Sequence, residues 1–218
     1  MTDFSVMRGN MVDGQILPNR VTDPRLIDAM LTLPRELFVS EKHRSIAYVD
    51  EEVEILPNRY LMEPRVFARL AQALAPRSHE VALYVGCGTG YGAAILAHLC
   101  GTVIALESEA VLVARAADLF LDLEIDNAVV VEGFLDKGYA KQGPYDLIFI
   151  EGAVVGPPRV VLEQLVEGGR LATVVKPGNS LGQATIFTKV GGTYGKRVLF
   201  DAAAYPLPGF EGSSEFVF

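Results

Sequence analysis

The stretch "VGCGTGYGAA", Val85 to Ala94, decides the fold of this sequence. Glycine occupies every second position from Gly86 to Gly92, after a strand-like run, "EVALYVG", and before a helix-like run, "YGAAILAHLC". A turn without Cβ atoms lets a ligand come close to the main chain. The N–H groups at the start of a helix favour a carboxylate or a phosphate. We therefore expect a ligand to bind against this turn.

Strand-like and helix-like segments alternate from Glu80 onward. Near-continuous apolar runs such as "YDLIFIEG" are typical of parallel strands covered on both faces. The last two strands are joined by "VGGTYGK" with no helix between them, which predicts an antiparallel edge. The fold class is α/β, with a doubly wound, mostly parallel seven-stranded sheet and a ligand crevice at the carboxyl ends of its strands. The predicted strands are 80–86, 102–107, 128–132, 145–150, 169–175, 183–190 and 196–201, and the predicted helices lie near 91–100, 109–122 and 158–166.

Prolines punctuate the first part of the chain, before this alternation begins. We predict one helix there with Thr22 or Asp23 as its N-cap and Pro24 at its first position, and a second helix that begins near Pro64. We divide the chain into an N-terminal segment, 1–77, and a ligand-binding domain, 78–218, packed together as one compact unit.

Composition excludes several classes of protein. The 218 residues carry a formal net charge of −8, whereas a nucleic-acid partner requires a basic surface, so we expect no nucleic acid. Two cysteines, Cys87 and Cys100, favour a reducing cytoplasm over a disulfide framework. The three histidines show no metal-ligand spacing, so we expect no metal. We see no signal peptide and no apolar run of about 18 residues, so we expect no membrane span.

An acidic residue helps to identify the ligand. Glu107 ends the second strand, 21 residues after Gly86, where a carboxylate can accept hydrogen bonds from ribose hydroxyls. The dinucleotide fingerprint G-x-G-x-x-G fails because its last position holds Tyr91, which disfavours an NAD-dependent oxidoreductase. The observed G-x-G-x-G resembles the first motif of S-adenosylmethionine-dependent methyltransferases. The alternative is a tight turn that binds nothing.

The whole chain resembles one methyltransferase family. Residues 11–15 ("MVDGQ"), 22–25 ("TDPR"), 34–39 ("PRELFV") and 47–50 ("AYVD") resemble the N-terminal segment of protein-L-isoaspartate (D-aspartate) O-methyltransferases. The glycine turn, "GPYDLIFIEGA" and "LVEGGRLATVV" resemble later parts of that family. The resemblance extends from about residue 11 to residue 210, and it implies a Rossmann-like class I methyltransferase whose N-terminal segment covers the acceptor site.

The family resemblance also implies a reaction and a set of site residues. The reaction is methyl transfer from S-adenosyl-L-methionine, which leaves S-adenosyl-L-homocysteine, to a carboxylate on an abnormal aspartyl residue of a protein or peptide. A carboxylate is already ionised at pH 7, so no general base is required and catalysis reduces to positioning and electrostatics. The implied cofactor-binding residues are Gly86, Cys87, Gly88, Gly90, Tyr91, Glu107, Ser108, Gly133, Phe134 and Leu135.

The sequence departs from the family pattern around the acceptor. In "NRYLMEP", residues 58–64, Met62 holds the position of a serine and Glu63 that of a glutamine. An aromatic residue, Tyr84, replaces the acid two places before the first glycine, and Phe134 replaces the aspartate expected near the adenine amine. The strand expected to end in a small or hydroxyl residue ends in Glu151.

Three of these residues, Met62, Arg59 and Glu151, are our candidates to face the substrate. Glu151 should lie at the mouth of the site, where it would repel an acceptor carboxylate, unless Arg59 offsets it by pairing with Glu151 or by binding the acceptor. Two alternatives stay open. The acceptor is a small molecule bearing an amine or a hydroxyl, or the protein binds the cofactor without catalysis and uses Met62, Tyr60 and Phe134 to contact a partner.

Overall fold

The computed structural model describes residues 3–178 and 180–210, which form one seven-stranded sheet, a separate two-stranded sheet and the surrounding helices. The strands are β1 (Val53–Leu56), β2 (Arg59–Leu61), β3 (Val81–Val85), β4 (Thr102–Glu107), β5 (Ala128–Glu132), β6 (Tyr145–Val154), β7 (Leu165–Val175), β8 (Gln183–Val190) and β9 (Thr193–Asp201). The helices are α1 (Phe4–Met11), α2 (Pro24–Thr32), α3 (Pro64–Leu74), α4 (Tyr91–Ala97), α5 (Ala110–Asp122) and α6 (Arg159–Leu162).

The large sheet has the order β5-β4-β3-β6-β7-β8-β9. Strands β3 to β7 pair in parallel, whereas β8 and β9 are antiparallel to their neighbours. The strand order reverses between β3 and β6, and ligand crevices form at such switch points. The predicted fold class and antiparallel edge are confirmed.

Several boundaries differ from the predicted ones. Strand β6 continues to Val154 through an irregular register after Phe149. Strand β7 begins at Leu165, which limits α6 to four residues where a longer helix was predicted. Helix α1 was not predicted; the Asp3 carboxylate caps it by accepting hydrogen bonds from two backbone N–H groups.

The N-terminal segment and the sheet share one hydrophobic core. Helix α2 begins at Pro24, is capped by the Asp23 side chain, and buries Leu26 and Met30. Helix α3 begins at Pro64 and buries Phe67 and Leu70, as the spacing of its apolar residues predicts. These side chains belong to the same cluster as the inner face of the sheet. The N-terminal segment therefore packs on the main sheet through a shared core.

None of the helices within residues 3–178 and 180–210 combines the length and apolarity that crossing a membrane requires. The same residues bring together no group of three or more histidine, cysteine, aspartate or glutamate side chains that could hold a metal ion.

The alternating glycines are needed because the protein's own side chains press against the turn. A Cβ atom added at Gly88 would lie 2.6 Å from Cδ1 of Ile55, and one added at Gly92 would lie 1.9 Å from the Tyr84 hydroxyl oxygen. The other two positions follow the same pattern, Gly86 against Leu207 and Gly90 against Phe120. Gly86, Gly88 and Gly90 also have positive φ angles, which disfavour any side chain.

Replacing the last of these glycines tests this packing. We expect Gly92→Ala to lower the free energy of unfolding by about 1–3 kcal/mol, since the Tyr84 ring is fully buried and cannot withdraw. Denaturant unfolding measures the loss. Tyr84→Leu in the same chain should recover part of it, because the shorter side chain leaves room for the methyl group. Gly14→Ala, where a Cβ atom meets nothing within 4 Å, is the matched control and should leave stability almost unchanged. Equal losses in the two glycine variants would contradict the account.

Candidate active site

The Glu107 carboxylate lies at the carboxyl end of β4, beside the glycine turn, and its side chain is fully buried. It accepts hydrogen bonds from the main-chain N–H groups of Gly88 at 2.8 Å, Ser108 at 2.7 Å and Glu109 at 3.1 Å. The turn and the acidic residue that the sequence placed in one site are therefore in direct contact. The N–H group of Gly88 points toward the Glu107 carboxylate.

Arg59 binds the same carboxylate with both ends of its guanidinium group. Nη1 donates to Oε1 of Glu107, and Nη2 donates to Oε2 at 2.5 Å. The two side chains are 5% and 0% exposed, so the ion pair is buried. Burial acts to lower the pKa of Arg59, but the hydrogen bond and the charge of Glu107 hold this pKa above its ordinary value. The sequence led us to expect Arg59 beside Glu151 or the acceptor; the structure instead pairs it with Glu107.

A short hairpin, β1–β2 (residues 53–61), carries Arg59 into this position. Its turn includes Asn58, which adopts the left-handed conformation that asparagine tolerates well. On the same hairpin Ile55 covers Gly88, as described above. Two contacts hold the hairpin on its other side: the Tyr60 ring stacks on Tyr205 at 3.8 Å, and Glu52 accepts a hydrogen bond of 2.9 Å from the Tyr205 N–H group.

Glu151 lies in the interior, 5% exposed, where we had expected an open mouth. Its Oε1 accepts a hydrogen bond of 3.1 Å from the Met62 N–H group. The carbonyl of Met62 accepts one of 2.7 Å from the buried Arg35, which also donates to the Ala47 carbonyl. The backbone of Met62 is thus held between a buried carboxylate and a buried guanidinium. Burial raises the pKa of Glu151 to about 7, although the Met62 N–H group, Tyr84 and the charges of Arg35 and Arg59 act to lower it.

The other predicted cofactor residues divide into two groups. Gly133 lies next to the site, because its N–H group donates to the Glu107 carbonyl, and Phe134 is 78% exposed at the surface. Cys87, Tyr91 and Leu135 are buried in the protein core. Burial raises the pKa of the Cys87 thiol well above its ordinary value, so this thiol stays protonated and unreactive.

Sequence reasoning missed several residues that close the site. Ile55, Tyr205 and Leu207 come from segments for which we predicted no element. A signal was available for the hairpin, because Pro57-Asn58 is a turn-forming dipeptide between two short β-type runs.

Among the described residues, a cleft and a larger cavity lie at the carboxyl ends of β6 and β7. A cleft of about 10 Å³, room for a single water molecule, lies between the hairpin and the segment after β9; it is lined by Glu52, Asn58, Arg59, Tyr60, Glu151, Gly152, Tyr205, Pro206, Leu207 and Pro208. A larger cavity of about 440 Å³ lies on the other side of Leu207 and carries Lys176 among mostly apolar residues.

Comparison with known proteins identifies the family. Residues 9–202 match the family model described as protein-L-isoaspartate(D-aspartate) O-methyltransferase. The chain belongs to this family. It is 37% identical over 182 residues to a protein-L-isoaspartate O-methyltransferase 2 of Anaeromyxobacter sp. (strain Fw109-5), which covers 84% of this chain and 75% of that protein. It is 34% identical over 215 residues to a protein-L-isoaspartate O-methyltransferase of Koribacter versatilis (strain Ellin345), with 98% and 96% covered.

Solved structures share the fold. One protein-L-isoaspartate O-methyltransferase superposes with a TM-score of 0.82 at 22% identity, covering 93% of this chain and 67% of that one. A Plasmodium falciparum protein described as a putative protein-L-isoaspartate O-methyltransferase, in complex with S-adenosyl-L-homocysteine, superposes with a TM-score of 0.79 at 21% identity, covering 96% and 100%. The predicted family is confirmed, and its members are S-adenosylmethionine-dependent O-methyltransferases.

The described residues do not fit this cofactor in the conformation they adopt. The sequence predicts that the glycine turn and Glu107 bind the cofactor, Glu107 through the ribose hydroxyls. However, the Arg59 guanidinium occupies the face of Glu107 that ribose hydroxyls need, and Ile55 fills the space beside Gly88. The family's cofactor therefore requires a change in the hairpin.

The raised pKa of Glu151 gives a testable pH dependence of stability. A carboxyl group whose pKa is raised on folding stabilises the protein while it is protonated, and this contribution is lost as the pH rises from its unfolded value of 4.5 to about 7. We expect the free energy of unfolding of the wild type, minus that of Glu151→Gln, to fall across this interval by an amount on the order of 3 kcal/mol. Denaturant unfolding at pH 4.5, 6, 7 and 8 measures this difference.

Glutamine keeps an oxygen for the Met62 N–H group, so the hydrogen bond survives in the variant. Glu41→Gln, at an exposed position, is the matched control for the loss of one glutamate charge. A difference for Glu151→Gln that stays flat from pH 4.5 to 7 would show that this carboxyl titrates at its ordinary pKa.

Proposed function

We propose that this protein transfers a methyl group from S-adenosylmethionine to the carboxylate of an isoaspartyl residue in damaged proteins or peptides, and so initiates their repair. The observation that carries the proposal is the family match over residues 9–202, together with the contact between Gly88 and Glu107 at the carboxyl ends of β3 and β4. The homologue from Plasmodium falciparum, in complex with S-adenosylhomocysteine, supports the same cofactor.

Methyl transfer to an isoaspartyl carboxylate requires no proton-accepting side chain. An isoaspartyl carboxylate is ionised at neutral pH, so the site needs no general base. What it needs is a fixed position for the carboxylate and a favourable charge around it. The cavity that carries Lys176 is large enough for a side chain of this size, and its ammonium group offers the matching charge.

Glu151 has a defined part in this proposal. Burial raises the pKa of Glu151 to about 7, so this carboxyl repels an acceptor carboxylate less than a fully ionised one would. Its hydrogen bond to the Met62 N–H group fixes the loop that replaces the family's serine-containing segment. Met62 thus acts through its backbone, since its side chain is buried.

A second acceptor class is favoured by the same residue. Once ionised, Glu151 would attract an amine rather than a carboxylate, so a small amine is the alternative acceptor.

The methylation assay decides between these functions. Incubation with S-adenosylmethionine labelled in its methyl group and an isoaspartyl peptide should yield a base-labile methyl ester, because the product is a carboxylic ester. The same peptide with a normal aspartyl residue is the control and should remain unlabelled. Label that is stable to base, or that appears only with amine acceptors, would favour the second class. Absence of any transfer at saturating cofactor would refute the proposed function.

A further inference from the structure

We propose that the β1–β2 hairpin occupies the cofactor site of this protein, so that the hairpin and the cofactor compete for Glu107 and the glycine turn. The inference rests on the cofactor assignment of the proposed function, but it does not depend on which acceptor is methylated. Its basis is the disagreement between the family's cofactor and the space that the structure leaves.

The hydrogen-bonding capacity of Glu107 is already used. An ionised carboxylate has about four lone-pair positions. Here three main-chain N–H groups and the two ends of the Arg59 guanidinium already donate to it. Two ribose hydroxyls cannot be added while all of these donors remain. The main-chain donors belong to the turn and to the end of β4, so Arg59 is the donor that can leave.

The space above the turn is also taken. Gly88 has a positive φ and no side chain, which would leave the main chain open to a ligand, yet a Cβ atom added there would lie only 2.6 Å from Cδ1 of Ile55. Ile55 and Arg59 lie on opposite strands of the hairpin, on either side of its turn. One hairpin therefore covers both the turn and the acidic residue.

The hairpin can move away from Glu107 without opening the main sheet. Within the described residues its two strands pair with each other, as a separate two-stranded sheet. Four contacts hold it: Arg59 to Glu107, Tyr60 and Glu52 to Tyr205, and a contact of 2.8 Å between His43 and the Glu54 carbonyl. Val53 and Leu61, one on each strand, also anchor it in the core. Displacing Arg59 breaks none of the ladders of the seven-stranded sheet.

The competing explanation is that Arg59 stays on Glu107 and orients it toward a bound cofactor. Both explanations make Arg59 stabilise the ligand-free protein. They differ in the effect on affinity: a competitor weakens cofactor binding, whereas a positioning residue strengthens it. Removal of Arg59 therefore separates them.

The experiment measures the dissociation constant of S-adenosylhomocysteine by calorimetry. This ligand carries no net charge at neutral pH, so loss of one arginine charge does not by itself change its attraction. Arg59→Ala and Ile55→Ala should each tighten binding about tenfold or more, because apparent affinity scales with the fraction of molecules whose site is open. Arg59→Ala should also lower the melting temperature of the ligand-free protein. Arg65→Ala, which removes a half-exposed arginine of the neighbouring helix α3, is the matched control and should leave the affinity unchanged.

Hydrogen exchange gives an independent readout on the wild type. Backbone amides of residues 53–61 should exchange faster when S-adenosylhomocysteine is added, because the hairpin leaves its contacts. Arg59→Ala that binds equally well, more weakly or not at all would overturn the inference, as would slower exchange in the hairpin. Tighter binding by this variant, together with no ester formation by the wild type, would support the inference and reject the proposed function. If the wild type forms the ester but Arg59→Ala does not bind S-adenosylhomocysteine more tightly, the proposed function is supported and the inference is rejected.

Discussion

The buried ion pair between Arg59 and Glu107 is the interaction on which the state of the site depends. A charge removed from water is tolerated only when its partner and its hydrogen bonds replace the lost solvation. Glu107 meets this condition through the guanidinium and three main-chain N–H groups. Removing one member of such a pair typically costs about 3–5 kcal/mol, so a ligand that displaces Arg59 must replace the contacts that it breaks. Sugar hydroxyls are suitable replacements at the carboxylate, while the arginine regains water.

The rest of the site is packed around the glycine turn, where alternate residues have no side chain. Leu207, Ile55 and Phe120 each press on one glycine of the turn, and the Tyr84 hydroxyl presses on Gly92. Tyr84 stands where the family has an acid, and its ring fits because residue 92 lacks a Cβ atom. The tyrosine therefore fills volume inside the domain and does not face a ligand. The close packing explains both the number of glycines and the small volume that remains beside them.

The fold was predictable because its signals are local. Apolar runs marked the strands, prolines marked the starts of α2 and α3, and a capping aspartate marked α2 as well. The site was predictable only in part. The glycine turn and Glu107 lie on consecutive strands, so their proximity follows from the βαβ connection. Arg59 reaches Glu107 from 48 positions away, and Met62 reaches Glu151 from 89 positions away. Nothing in local spacing selects one carboxylate for Arg59, and the sequence offered Glu151 or the acceptor equally well.

The most direct test is a crystal structure of the protein with S-adenosylhomocysteine bound. The account predicts that the Arg59 guanidinium has left Glu107, that Ile55 no longer covers Gly88, and that both sugar hydroxyls donate to the Glu107 carboxylate. A complex in which the ligand is bound while the Arg59–Glu107 pair and the hairpin remain as described here would contradict it.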